Sequence, residues 1–369
     1  MIHFMSDKLA ELAVKYSLGV KERERVYISG HTLSKDLLLA IYCEVLKAGA
    51  YPILQPQLEG TVELKYRYSN EEQLKYEDDI FLKAVEEFDC FLSVFDDYNT
   101  KKLSPIDPEL IRIFSSSEKR KKINQIFETR AGKKELRWVV VPYPSQSHAQ
   151  EAGMDLYTYT DFVNKALLLD QENPITEWTK IMQDQDKTCR YLNNIEKIQI
   201  IGKDTDLTFS VKGRSWINSC GKVNLPDGEV ATSPIEDSAN GFIRFTYPGI
   251  FRGREVENIY FKFENGKVVK YSADKGEDFI GQILSVENAN NIGEFAIGTN
   301  YGINKFTKNM LFDEKMGGTI HCALGMAFQE TGSKHHSNIH WDILKDMKTP
   351  DSKIIADGKV IYQAGKWLI

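Results

Sequence analysis

This 369-residue chain has no CxxC pair among its five cysteines, Cys43, Cys90, Cys189, Cys220 and Cys322. Odd in number and far apart, they exclude a disulfide framework and a thiolate-type structural zinc site, and they point to reduced thiols in the cytoplasm. No apolar run approaches the roughly 20 residues that span a bilayer. The opening MIHFMSDKLAELAVKYSL lacks the charged-then-apolar order of a signal peptide, so no membrane partner is expected. Basic residues are outnumbered 47 to 53, a formal net charge of −6. That argues against a nucleic-acid partner, and the KRKK run at 119–122 reads as a solvated helix face. Neither GxGxxG nor GxxxxGK[ST] follows Gly30, which removes a nucleotide phosphate loop.

What is present is ordinary for a globular enzyme: 42% hydrophobic and 27% charged residues over a length that suggests two domains. Leu9, Leu12, Ala13, Tyr16 and Leu18 recur at helical spacing near the start. Strand-like runs at 25–29, 51–54, 89–95 and 136–141 then alternate with helical stretches at 35–48 and 117–130. Such alternation implies crossover connections and a largely parallel sheet. A helical region over 157–194 links this half to a β-rich one, where 198–201, 206–211 and 259–263 read as strands. Asn265-Gly266 between two alternating runs signals a hairpin. The expected architecture is α/β: an N-terminal α/β domain over 1–190 with its linking helices, and a β-rich, metal-binding C-terminal domain over 191–369.

Histidine is scarce, seven in all, yet four fall between 321 and 340, and the stretch ends His340-Trp341-Asp342. On a strand, a period of two would put His340 and Asp342 on one face. His335 and His336 lie in a polar turn and are expected to face solvent. His321 sits in a small, apolar run, and Cys322 would point the opposite way. Two glutamates, Glu229 in PDGEVATSP and Glu294 in IGEFAIGTN, adjoin glycine in small and apolar company, where a lone carboxylate is costly to bury. Singly, each reads more simply as a surface turn residue. Together, two glutamates, two histidines and an aspartate form a nitrogen/oxygen donor set suited to Zn, Co or Mn. Five donors exceed the needs of one ion, so a pair about 3.5–4 Å apart with one bridging carboxylate is the expectation.

Several long stretches carry a wider likeness: PDGEV at 226–230, GEFAIGTN at 293–300, LFDEKMGGTIHCALG at 311–325 and SNIHWD at 337–342. In that order they resemble the aminopeptidase T and aminopeptidase S family of dimetal exopeptidases, over nearly the whole chain. The resemblance implies that Glu229, Glu294, His321, His340 and Asp342 ligate two divalent ions (Zn, Co, Mn or Mg). It implies removal of the N-terminal residue from small peptides with a free N-terminus, through a metal-activated water, and a homodimer. Glu314 is then a candidate general base or a support for the ligands, or else the partner of a nearby lysine. One departure stands out: the family carries tyrosine where this chain has Phe328, which has no hydroxyl to stabilise an oxyanion. The competing readings are a metal-dependent amidase or dipeptidase, and a catalytically weak or inactive metal-binding relative acting as a dimeric binding protein.

Overall fold

The computed structural model describes residues 4–369 and divides into two compact units, Met1–Ile175 with Gly221–Leu225, and Thr176–Cys220 with Pro226–Ile369. In the first unit, β1 (Arg25–His31), β2 (Tyr51–Gln57), β3 (Cys90–Phe95) and β4 (Arg137–Pro142) form a parallel sheet in the order β2-β1-β3-β4. Parallel neighbours need crossovers, and the helix Lys35–Lys47 supplies the one between β1 and β2. Its Leu37, Leu38, Ile41 and Val45 recur at helical spacing and are buried. Tyr27, Phe91 and Trp138 lie in register across β1, β3 and β4. They pack with Ala84 and Val85 of the helix Asp79–Glu87 and Ile123 of the helix Glu118–Gly132. The expected N-terminal stripe is helical too: Leu9, Leu12, Ala13, Tyr16 and Leu18 are all buried.

The second unit is antiparallel. Its strands are β5 (Lys197–Gly202), β6 (Thr205–Ser210), β7 (Ile217–Ser219), β8 (Glu229–Thr232), β9 (Asn240–Arg244), β10 (Gly249–Phe251), β11 (Arg254–Val256), β12 (Tyr260–Glu264), β13 (Lys267–Ser272), β14 (Ile292–Gly298), β15 (Thr319–Gly325), β16 (His340–Asp346), β17 (Lys353–Ala356), β18 (Lys359–Gln363) and β19 (Lys366–Trp367). Eight of them run β13-β12-β9-β6-β5-β17-β18-β19, five run β16-β15-β14-β8-β7, and β10 pairs with β11. The two large sheets share one core. Ile198, Ile200 and Phe261 of the larger sheet cluster with Ile297, Ile320, Cys322 and Ile343 of the smaller. Phe209 meets Phe295 edge-on with ring centroids 5.0 Å apart. The β12–β13 hairpin turns on Asn265 (φ 49°) and Gly266 (φ 81°), the left-handed pair a two-residue turn demands. Among the described residues no helix is long and apolar enough to cross a membrane.

Candidate metal centre

Strand periodicity sorts the five-stranded sheet into two faces. Phe295 and Ile297 of β14, Ile320 and Cys322 of β15, and Trp341 and Ile343 of β16 enter the core. Their alternates point the other way, and the register aligns them: Ala296 opposes His321 and Ala231, Ala323 opposes Asp342, Gly298 opposes Glu229 and Gly325 opposes His340. Glu229, Glu294, His321, His340 and Asp342 therefore share one face of one sheet, spread over four strands. Alanines 231, 296 and 323 and Gly298 separate them and leave room between the polar side chains. Every residue of β8, β14 and β15 is buried, so this face is covered as well.

Read singly, the two glutamates looked like surface turn residues; the structure corrects this. Glu229 is 5% exposed and Glu294 2%. His321 Nε2 lies 3.5 Å from Glu294 Oε1, 3.7 Å from Glu229 Oε2 and 3.9 Å from Asp342 Oδ1. His340 Nε2 lies 3.2 Å from Glu294 Oε2 and 3.4 Å from Asp342 Oδ1. Donor atoms of Glu229, Glu294 and His321 fall within 4.8 Å of one another, as do those of Glu294, His340 and Asp342, and of Glu314, His321 and Asp342. Glu294 thus belongs to two of these triads. The bare Cα of Gly293 helps aim it. A Cβ there would lie 2.2 Å from Met326 O, and that same carbonyl meets His340 Nδ1 at 3.2 Å.

Electrostatics separate the two glutamates. Burial pushes Glu229 up to about 8 against the pull of Lys315 and His321. Burial raises Glu294 as well, but hydrogen bonds from His321 and His340 outweigh it and hold that carboxyl low. Burial lowers both imidazoles, yet Glu294 and Glu229 carry His321 up to about 9, and Asp342 with Glu294 carries His340 to about 11. Four carboxylates crowd a volume in which Glu229 Oε2, Asp342 Oδ1 and His321 Nδ1 are buried without a hydrogen-bond partner. Excess buried carboxylate oxygen with unused lone pairs is unfavourable unless cations enter. The nitrogen/oxygen donors present fit divalent metal ions.

Glu314 lies beside this cluster, and its carboxylate contacts Lys315. Lys315 is the nearby lysine that the alternative reading of Glu314 allowed for; nothing in the sequence signals that its ammonium is buried and also meets Glu229 Oε1 at 2.9 Å. Phe328 is half-buried with its ring 5.6 Å from the His340 ring. His336 is exposed as expected; His335 is only half-exposed and its Nε2 meets Asn288 O at 2.9 Å. Neither joins the cluster. Cys322 faces the core, away from His321.

The sequence model of the thermophilic metalloproteases (M29) matches residues 4–367. The chain belongs to the M29 family. This M29 protein is similar to aminopeptidase AmpS of Bacillus subtilis, 25% identical over 97% of each chain. It is also similar to aminopeptidase 2 of Geobacillus stearothermophilus, 24% identical over 87% of this chain and 83% of the relative. The solved structure of wild-type AmpT from Thermus thermophilus superimposes with a TM-score of 0.85 at 21% identity, covering 99% of both chains. It shares the fold: a parallel α/β part and an antiparallel part. Membership makes the chain a metal-dependent peptidase, the enzyme class the motifs implied.

Proposed function

We propose that this M29 protein is an aminopeptidase that removes the N-terminal residue of small peptides, using two divalent cations. One observation carries the reading: Glu294 is shared by two donor triads, one with Glu229 and His321, the other with His340 and Asp342. A carboxylate so placed would be suited to serve two ions, with Glu229 and His321 holding one and His340 and Asp342 the other. When bound, such ions supply Lewis acidity for a water nucleophile and the scissile carbonyl, and a positive field for a free amine. His340 is oriented through Nδ1 at Met326 O, and Glu229 through Lys315. Glu314 stands beside the cluster as proton acceptor, with Lys315 fixing its carboxylate. The homodimer and the cytoplasmic setting belong to the same proposal. Cys43, Cys90, Cys189 and Cys322 are free thiols, as a reducing compartment permits.

The deciding experiment is hydrolysis of a leucyl peptide by metal-stripped protein re-supplied with Co, Zn, Mn or Mg, with the N-acetylated peptide alongside. Metal-restored cleavage of the free-amine peptide alone supports the proposal, and cleavage of both favours an amidase. No cleavage by folded protein favours the second reading, a metal-binding relative without activity. One observation favours that alternative: the ring that packs on His340 is Phe328, which offers no hydroxyl.

A further inference from the structure

A single ammonium lies inside the carboxylate cluster. Lys315 is 2% exposed, its Nζ 2.9 Å from Glu229 Oε1 and in contact with Glu314 Oε1. Burying a lysine is costly unless its charge is fully paired, and here the chain invests several backbone features in placing it. Lys315 N donates to Phe312 O at 3.0 Å, and Lys315 O accepts from Asn300 N at 3.0 Å. Gly317 N donates to Asn300 O at 2.8 Å, closing a short bridge between the two segments. That bridge lies against β14 only because Gly298 has no side chain. A Cβ there would sit 2.1 Å from Met316 O and 3.0 Å from the Lys315 carbonyl carbon. The backbone of Lys315 is thus tied to Asn300, two residues beyond the strand that carries Glu294.

The consequence is an allocation of oxygens. Glu229 commits Oε1 to Lys315 and leaves Oε2, without a hydrogen-bond partner, 3.7 Å from His321 Nε2. Glu314 contacts the same ammonium through Oε1 and also groups with His321 and Asp342. We infer that Lys315 is a positioning residue that clamps one oxygen each of Glu229 and Glu314, so that Glu229 offers a single oxygen to a divalent cation and Glu314 keeps its second oxygen free to accept a proton. The inference rests on the two-cation reading above and adds a role for a residue that touches neither ion nor substrate in it. An ammonium, compact and strongly charged, can hold one oxygen of each carboxylate without occupying a cation's place.

The test is a cobalt(II) titration of the metal-stripped full-length chain, read by stoichiometry, affinity and the visible absorption of the bound ion. Wild type, Lys315→Met and Lys315→Arg are compared, with folding checked by circular dichroism. Lys315→Met is expected to lose roughly 10–100-fold in affinity, the range for losing a partner that orients a ligand, and to bind cobalt with an altered spectrum. Lys315→Arg, which can still bridge both carboxylates at a different reach, is expected to recover most of the affinity with a displaced spectrum. Unchanged affinity and spectrum in Lys315→Met overturns the inference. Tighter binding also overturns it, because the ammonium would then act only as a repelling charge. If Lys315→Met does not fold, a wild-type spectrum in Lys315→Arg is the overturning result. Wild-type protein that binds no cobalt defeats the two-cation reading itself, an outcome distinct from a failure of the clamp.

Discussion

At Glu294 two imidazoles meet one carboxylate, with His321 at 3.5 Å and His340 at 3.2 Å. Glu294→Ala removes the member common to both triads. The expected loss of hydrolysis exceeds the roughly 10–100-fold caused by removing a supporting partner, and bound metal measured by atomic absorption falls with it. Full activity at normal metal content would defeat the bridging role. Phe328→Tyr separates the active from the degenerate reading. An active enzyme already has its oxyanion donors, so a gain in kcat below about tenfold is expected. A gain of roughly 10²–10³-fold, the worth of one such donor, would identify Phe328 as the lesion. The five proposed donors stand out in the sequence only as a set and through the family likeness, since singly each glutamate reads as a surface turn residue. The burial of Lys315 was not legible, since nothing in Asp313-Glu314-Lys315 distinguishes a buried lysine from a solvated one.

Elements decide what a side chain can reach. The short strand β8 and the doubly covered β14 show why their glutamates passed for turn residues: four residues are too few to display a period. Burial of both faces also erases the polar alternation that marks a half-exposed strand. The β12–β13 hairpin was legible because Asn265-Gly266 encodes its own backbone angles. Gly298 sets the distance between β14 and the Lys315 segment. Gly298→Ala is expected to destabilise the protein by about 1–3 kcal/mol through overpacking, seen as a lower Tm. An unchanged Tm would mean that the segment can shift freely. In the first unit, His148 on the helix Gln146–Glu151 stacks on Phe95 at 5.2 Å. Burial holds its pKa below 6.5, against Asp97, Asp96 and Glu151, with Lys102 adding to the fall. A group whose pKa is depressed by folding contributes stability above its unfolded pKa and loses it as pH falls through the folded one. Urea-unfolding free energies should therefore decline from about pH 6.5 downward more steeply in wild type than in His148→Phe. Parallel slopes would remove His148 from the account.

Over the whole molecule, the switch from a parallel sheet to antiparallel ones was readable in the alternation of helix and strand signals, then in their replacement by strands and turns alone. The pairing of eight strands with five was not, because sheet order depends on contacts far apart in sequence. Cation binding to the folded second unit should raise its stability by mass action, about 2.7 kcal/mol at a free ion concentration one hundred times Kd. Chelator treatment is expected to lower the calorimetric transition of that unit, and re-supplied cation to restore it. A transition indifferent to both would mean that the carboxylate cluster tolerates its own repulsion.

The donors also have an order in time. Glu229 leaves the ribosome first and Asp342 last of the five, and β16, which carries His340 and Asp342, lies beside β15 at the edge of its sheet. Of the five, a growing chain halted before residue 340 holds Glu229, Glu294 and His321 and lacks His340 and Asp342, two of the three members of the second triad. In chain order β16 is the last strand of its sheet, and under the two-cation proposal it is the strand without which the donor set stays incomplete.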